Sequence, residues 1–194
     1  MSRDIARRNF ILVLGSGILG MSRDARAQSS SQASADVHKV LAGSSFGMAI
    51  YYFDPVALYI DPGQTVQWAG LGRRAVVAFH PSIDNHELRI PENAQPFDSK
   101  GKSVRGTFEW KFQLEGTYDY YAPSEEYLGM VGRIVVGKPG GPGEKPPGYG
   151  NREGRTVMYP DAARILEYVK SDEIVRKKSI PYPMQLLERK FPWR

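Results

Sequence analysis

Residues 116–137 read GTYDYYAPSEEYLGMVGRIVVG, and this stretch decides the fold prediction. Its two ends, Thr117–Tyr121 and Val131–Val136, are rich in aromatic and β-branched residues, which favour strands. Residues 122–130 lie between them and contain Pro, Ser and Gly, which favour a loop. The stretch therefore predicts two neighbouring strands that close a β-domain.

Upstream of this pair the chain alternates short apolar runs with turn residues, and it contains 20 Gly and 14 Pro in all. The Asp61–Pro62–Gly63 turn is one such boundary. Pro81–Arg105 shows little periodicity, and a loop of this length is usually functional or specially packed. Residues 36–137 are therefore predicted to form an all-β sandwich. The further predicted strands are Asp36–Leu41, Ala49–Phe53, Ala57–Ile60, Thr65–Trp68, Ala75–Phe79 and Thr107–Leu114.

Residues 1–27 have the organisation of a secretory signal peptide. The pair Arg7–Arg8 precedes a mildly apolar, Gly-containing run, which is typical of the twin-arginine route. Small residues at Ala25 and Ala27 provide a cleavage site. The apolar run is too short to span a bilayer, which needs about 20 residues. We expect a periplasmic or otherwise extracytoplasmic protein with no transmembrane segment in the mature chain, and residues 28–35 as a polar linker.

Charge and cysteine content exclude several classes of function. The chain has 26 basic and 21 acidic residues, of which five basic and two acidic residues lie in the leader, so the mature chain is only slightly basic. A nucleic-acid partner is therefore not predicted. The chain contains no Cys, which excludes disulfides and every thiolate-ligated metal site.

The C-terminal part has a different composition. Residues 138–154 are rich in Pro and Gly and are predicted to be a linker. Residues 155–194 are predicted to be a basic, partly helical tail, with one helix at Pro160–Lys170 and a short second helix at Asp172–Lys178. Residues 138–194 carry a net charge of +5 and residues 28–137 a net charge of −3. We expect the tail to wrap the domain through charge and aromatic contacts; the alternative is a docking arm for a partner.

Two motifs, Gly-Thr-Tyr-Asp-Tyr-Tyr at 116–121 and Gly-Met-Val-Gly-Arg-Ile-Val-Val at 129–136, resemble the plastocyanin/pseudoazurin branch of the cupredoxins. The segment from Ala78 to Ser99, with its His80–Pro81 and Pro96–Phe97 pairs, resembles a subgroup of exported bacterial members. The resemblance covers about Val40 to Gly137. It implies a Greek-key β-sandwich and the family function, electron transfer by a blue type 1 copper bound by two His, one Cys and an axial Met.

The family's copper ligands are degenerate in this chain. Counting back from Met130, the position of the second His holds Glu125 and that of the Cys holds Ala122; the position of the first His holds Arg74. Ala has no donor atom and Arg is a permanent cation, so a type 1 copper site is excluded and no cofactor is predicted. We expect Arg74 and Glu125 to form a partly buried ion pair, packed against Met130 and Ala122.

A relocated metal site is the alternative. His80, Asp84 and His86 lie close together in sequence, and His and carboxylate ligands suit zinc or iron. Against this, relatives that carry their copper site elsewhere share the same His-Pro pattern, so a His80 that fixes the loop by a hydrogen bond is favoured over a His80 that binds metal. Cleavage after Ala35 would place His38 third from a free amine, which is a Cu(II) chelate.

No nucleophile–base motif or phosphate-binding loop is present, so an enzyme is not predicted. The sequence instead predicts a periplasmic binding or interaction protein, whose loop end holds a partner protein or a small ligand. The alternatives are a metal-binding or electron-transfer protein with a site around His80 and His86, and a subunit of a respiratory redox complex.

Overall fold

The computed structural model describes residues 37–45, 50–151 and 154–185. The predicted signal peptide and polar linker, and the last nine residues of the tail, lie outside these ranges. Within them, nine strands form two sheets and two short α-helices follow the last long strand. The strands are β1 Val37–Ser45, β2 Ile50–Asp54, β3 Ala57–Ile60, β4 Thr65–Ala69, β5 Val77–Ala78, β6 Phe108–Lys111, β7 Gly116–Tyr121, β8 Val131–Val136 and β9 Ser179–Ile180.

The first sheet has the strand order β2-β1-β4-β6 and the second the order β5-β7-β8-β3-β9. β1 pairs with β4, and β3 with β8, in parallel; the other pairs are antiparallel. The two sheets enclose one apolar core, in which the rings of Trp68 and Phe97 stack 5.3 Å apart and Tyr120 meets Trp68 edge-on at 5.3 Å. Alternating inward-facing aromatic and aliphatic residues on both sheets supply this core, as expected for a sandwich.

The second sheet is buried on both faces, and every residue of β7 and β8 is buried. Its outer face, with Val131 and Val135, packs against helix α1, Pro160–Tyr168, and helix α2, Ser171–Lys177. The apolar side chains of α1 and α2 on this interface include Ile165, Leu166 and Ile174. The helices are short, and burial of their apolar stripe against the sheet stabilises them more than intrinsic propensity does.

The Pro/Gly-rich segment that was predicted to be a linker lies along the outer face of the second sheet. Thr117 N donates to Gly140 O at 2.9 Å, and Tyr149 Oη donates to Leu88 O at 2.6 Å. Pro142 and Gly143 are buried in a 3₁₀ turn that spans Pro142–Glu144. An added Cβ at Gly143 would lie within 3 Å of Thr117, so only Gly permits this close approach.

Most predicted elements are present, and they differ at their ends. β3 and β8 have the predicted bounds, whereas the predicted strands Ala75–Phe79 and Thr107–Leu114 shorten to β5 and β6. β9 was not predicted; it adds the tail to the edge of the second sheet through Ala57 and Ile180. The two helices begin at or within one residue of their predicted starts.

Candidate functional site

Residues 122–130 connect β7 to β8 and form the loop on which the sequence predicts three of the former copper-ligand positions. A 3₁₀ turn at Glu126–Leu128 makes the loop compact. Two backbone hydrogen bonds join the ends of the loop. Ala122 N donates to Met130 O at 3.0 Å, and Met130 N donates to Glu125 O at 3.2 Å. Gly129 ends the turn in the left-handed region at φ 87°, a conformation that Gly adopts without strain.

Two of the four positions that the sequence predicts for former copper ligands belong to the apolar core. Ala122 and Met130 are fully buried and pack in the cluster that also contains Trp68 and Tyr120. Met130 is the only one of the four positions with a family donor atom, and a thioether alone is the weakest ligand of a type 1 site. The residues present therefore do not fit copper, because the thiolate and both imidazoles that would hold it are absent.

The predicted ion pair between Arg74 and Glu125 is not formed. Within the described part of the chain, neither side chain has an ionic partner within 4.0 Å. Arg74 instead lies over the ring of Tyr51 at 5.6 Å and donates Nη2 to Gly70 O at 3.3 Å. Its Nε and the Oε2 of Glu125 are buried and have no hydrogen-bond partner. The cation–π contact and the local backbone acceptor take Arg74 away from direct pairing.

Arg74 and Glu125 nevertheless lie in the same electrostatic environment. Burial raises the pKa of the Glu125 carboxyl above its ordinary value of 4.5, and the Arg74 charge opposes this rise without cancelling it. The two side chains thus lie at the same end of the sandwich, as expected. Their charges interact electrostatically without direct contact.

His80, Asp84 and His86 do not converge as a ligand set. His80 Nδ1 lies 2.7 Å from Ser82 Oγ and accepts from Ser82 N at 3.1 Å, which fixes the turn. Asp84 binds Lys100 Nζ at 2.8 Å and accepts from Tyr121 Oη at 3.0 Å. No group of three or more His, Cys, Asp or Glu side chains is placed to hold a metal ion in residues 37–45, 50–151 and 154–185.

His86 is buried in a different environment from His80. Its Nε2 lies 3.1 Å from Glu126 Oε2, and both side chains are nearly inaccessible to solvent. The rings of Phe79 and Tyr121 enclose the imidazole at 5.2 and 4.7 Å. The contact between His86 and Glu126 thus joins residues 80–87 to the loop at residues 122–130. His38, the other candidate, lies 2.9 Å from Gln64 Oε1 through its Nε2.

A buried charged network on the outer face of the second sheet was not predicted. Asp119 accepts from Arg133 Nε at 2.7 Å and from Arg89 Nε at 2.7 Å, and Arg89 Nη1 also binds Glu87 at 2.9 Å. All four side chains are buried. The carboxylates and guanidinium groups satisfy one another in a low-dielectric region, where an unpaired charge would be strongly unfavourable.

This network holds the C-terminal part of the chain on the sheet. Arg89 donates to the carbonyls of Gly143 and Lys145 at 3.0 Å each, and Arg133 donates to those of Gly143 and Val169 at 3.0 and 2.9 Å. Glu87 accepts from the backbone N–H groups of Gly148 and Gly150. The sequence did contain a signal for this network. Asp119 and Arg133 alternate with the core residues of two apolar strands, so they lie on the outer face of the sheet, and the apolar residues around them indicate that this face is covered.

The tail also reaches the former ligand loop. Helix α1 begins beside Gly129, where an added Cβ would lie 3.4 Å from Asp161 O. The rings of Tyr127 and Tyr159 meet at 6.2 Å, and both are exposed. In the described part of the chain, the tail therefore lies along one flank of this loop.

Comparison with solved structures identifies the fold. The chain is similar to a pseudoazurin from Sinorhizobium with a TM-score of 0.50 and 18% identity, over 70% of this chain and 97% of that chain. Weaker similarities include a native pseudoazurin from Hyphomicrobium denitrificans, with a TM-score of 0.43 and 19% identity over 53% of this chain and 77% of that one. A plastocyanin from Dryopteris crassirhizoma gives 0.37 and 20% identity over 52% of this chain and all of that one. No family model matches the chain.

The class that fold and site define is a cupredoxin-like β-sandwich with a packed C-terminal extension. The predicted fold class is therefore confirmed, and the pseudoazurin from Sinorhizobium is the relative that carries this conclusion. At this identity the similarity concerns architecture alone. The described residues contain no helix long and apolar enough to cross a membrane.

Proposed function

We propose that this protein is an exported, non-enzymatic interaction protein that uses a cupredoxin-like sandwich as a copper-free scaffold for a protein partner. The observation that carries the proposal is the state of the former ligand positions. Ala122 and Met130 are closed into the core, and Arg74 packs on Tyr51 where the family has an imidazole. A permanent cation at that place repels a copper ion and cannot ligate it.

The arrangement of the rest of the molecule supports binding rather than chemistry. Each of His80, Asp84 and His86 is engaged by a different neighbour. The extension covers the outer face of the second sheet and one flank of the loop end. What remains accessible at that end is a loop surface, and binding residues are commonly carried on loops that a rigid scaffold positions.

Export to the periplasm is part of the proposal and rests on the leader. The Arg7–Arg8 pair and the apolar run after it fit the twin-arginine route. Replacement of both residues by Lys is expected to retain the precursor in the cytoplasm, as measured by cell fractionation. Periplasmic recovery of this variant would remove the twin-arginine part of the proposal and leave export by another route.

Copper titration of the purified mature protein tests the central claim. Addition of Cu(II) is expected to give no intense absorption near ~600 nm, the region of a Cu–thiolate band. Ala122→Cys alone is expected to stay colourless, because Arg74 and Glu125 remain. The triple variant Ala122→Cys, Arg74→His and Glu125→His supplies the full donor set and serves as the positive control. A blue unmodified protein, or one with a reversible copper redox couple, would overturn the proposal in favour of an electron carrier.

A further inference from the structure

A cavity of about 370 Å³ lies where β6 leads into β7. Nine described residues line it, on the segments 93–95 and 110–114 and at Tyr118. Tyr118 is near the Gly116 end of β7, whereas the loop at residues 122–130 follows the other end of this strand. The cavity is therefore remote from that loop, and its volume is within the range of small-molecule sites, roughly 300–1,000 Å³.

The inner surface of this cavity is aromatic and held in place by the core. Phe112 and Tyr118 are almost fully buried, and their rings meet edge to face at 5.0 Å. Tyr118 Oη donates to Leu114 O at 2.8 Å, which fixes the Tyr118 ring. Trp110 is partly buried and packs on Phe97 at 5.9 Å. Because these contacts already order the rings, a ligand that binds here pays little for ordering them.

Three uncharged amide side chains surround the aromatic residues. Asn93, Gln95 and Gln113 are exposed, and in the part of the chain that the structure describes their side chains make no hydrogen bond. Each amide carries two N–H donors and a carbonyl acceptor. Of the nine residues that line the cavity, one is charged, the exposed Lys111. The cavity thus offers aromatic rings inside and neutral donors and acceptors around its opening.

A second cavity of about 500 Å³ adjoins the first, and Asn93 and Leu114 line both. Three segments of the chain meet here. Thr117 N donates to Gly140 O at 2.9 Å, and an added Cβ at Gly116 would lie 2.6 Å from Pro91 Cγ and 3.2 Å from Gly140 O. Close packing of these segments fixes the shape of the second cavity, so the two cavities form one groove across this end of the sandwich.

We propose that this groove binds a neutral oligosaccharide, with one sugar ring packed on Trp110 and its hydroxyl groups bound by the three amides. A sugar ring has C–H groups on its faces, and these pack on the face of an aromatic ring. The hydroxyl groups at its edge both donate and accept, and a side-chain amide can meet them in either role. The adjoining second cavity provides room for a further sugar unit.

The composition of the groove favours a saccharide over other ligands. An acyl chain would make no use of the amides around the opening of the first cavity. An anion would meet a single cation there, the exposed Lys111. The groove shares no residue with the positions 74, 122, 125 and 130, so saccharide binding goes beyond the proposed function and is tested independently of it.

Isothermal titration calorimetry of the full mature chain tests this proposal. The probes are cellohexaose, maltohexaose and chitohexaose, which present neutral sugar rings with different linkages and substituents. The amide variant combines Asn93→Ala, Gln95→Ala and Gln113→Ala, all at exposed positions. Gln185→Ala, an exposed amide on the C-terminal extension, is the control. Trp110→Ala removes the aromatic face, and Trp110→Phe retains one.

We expect at least one probe to bind the unmodified protein. The amide variant is expected to weaken this binding by roughly tenfold or more, since it removes up to three hydrogen-bonding groups, and Gln185→Ala by less than about twofold. Trp110→Ala should abolish binding and Trp110→Phe should retain most of it. If Trp110→Ala lowers the melting temperature, the amide variant decides, because its changes lie on the surface.

The proposal is overturned if none of the three probes binds, or if the amide variant binds as tightly as the unmodified protein. Equal weakening in the amide variant and in Gln185→Ala would also contradict it, because the effect would not be specific to the groove. Proline-rich peptides also bind aromatic grooves, so a proline decapeptide is titrated in parallel. Tighter binding of this peptide than of any saccharide would replace the saccharide with a proline-rich polypeptide.

Discussion

Asp119 and Arg133 are directly opposite each other on β7 and β8 and form a two-pronged ion pair, with Nε–Oδ1 at 2.7 Å and Nη2–Oδ2 at 2.9 Å. Asp119 is fully buried and also accepts from Arg89. One carboxylate thus neutralises part of the charge of two guanidinium groups, whose remaining N–H groups bind carbonyls of the C-terminal extension. The pair is therefore where the sandwich and the extension are joined.

Replacement of Asp119 by Ala is expected to destabilise the protein by about 3–5 kcal/mol, because it leaves buried Arg133 without a carboxylate and leaves Arg89 with Glu87 alone. Urea unfolding followed by circular dichroism measures the change. Glu92 is exposed and forms no ion pair with any residue that the structure describes, so Glu92→Ala is the control and is expected to change stability by less than about 0.5 kcal/mol. Similar losses in both variants would show that the network contributes no more than a surface charge.

The extension should be part of the cooperative unit. Ile165 is buried against the second sheet, so Ile165→Ala is expected to cost about 2–5 kcal/mol, as other buried large-to-small changes do. Val157→Ala, in the same extension but at a 55% exposed position, is the matched control and should be nearly neutral. Removal of residues 138–194 should lower the melting temperature and increase binding of a hydrophobic dye. If the extension docked only loosely, the melting temperature would be unchanged in Ile165→Ala, in Val157→Ala and in the truncated chain.

The packing of Tyr120 requires glycine on the neighbouring strand. An added Cβ at Gly132 would overlap the Tyr120 ring and lie 2.9 Å from its Cε1. Because Tyr120 is fully buried and enclosed by Trp68 and Phe53, the ring cannot move aside. Gly132→Ala is therefore expected to cost about 1–3 kcal/mol through overpacking. Gly140→Ala meets no atom within 4 Å and is the control; equal chemical denaturation midpoints for the two variants would contradict the clash.

Glu125 should make stability depend on pH. Burial raises the pKa of this carboxyl in the folded state above its ordinary value of 4.5. Because the pKa is raised, the folded state binds this proton more tightly than the unfolded state does. The contribution of Glu125 to stability is therefore most favourable at low pH, and it is lost as the pH rises above 4.5 through the folded-state pKa. Glu125→Gln is expected to raise the melting temperature at pH ~7 and to flatten its dependence on pH from ~4 upward.

Arg74→Ala provides the complementary measurement for the same carboxyl. Because the Arg74 charge lowers the pKa of Glu125, its removal is expected to raise that pKa further in an NMR titration of the carboxyl carbon. A pKa that is unchanged in Arg74→Ala would show that the two charges do not interact. Glu92→Gln, an exposed glutamate, serves as the control for the melting curves.

Much of the sandwich could be predicted because strand patterning is local. β3 and β8 have the predicted bounds, and the positions of Ala122, Glu125 and Met130 follow from counting within one loop. The segment 75–79 was harder, since a continuous apolar run does not show where pairing ends; only Val77 and Ala78 form β5. β9 has two residues and no signal of its own, and it exists because Ala57 offers a free edge.

The sequence predicted which residue types lie at the candidate site, but it did not predict the contacts that they make. The sequence predicts a cation, Arg74, and a carboxylate, Glu125, at former ligand positions, and the two charges interact at the loop end. Their predicted ion pair failed because Arg74 has a closer alternative in the Tyr51 ring and the Gly70 carbonyl. A long side chain such as that of Arg can contact any suitable group that the tertiary structure brings within reach. Spacing along the sequence does not show which of these groups it contacts.

By itself, the sequence determined that this protein has no thiolate ligand, because it contains no Cys and donor chemistry depends on residue identity alone. It also indicated most of the strands, because alternation of apolar residues is a local property of the chain. Only the tertiary structure decided that the Pro/Gly-rich segment lies on the sheet and that Arg89 and Arg133 hold it there. These are contacts between residues distant in sequence, and their free energies depend on burial and on the neighbours that the fold supplies.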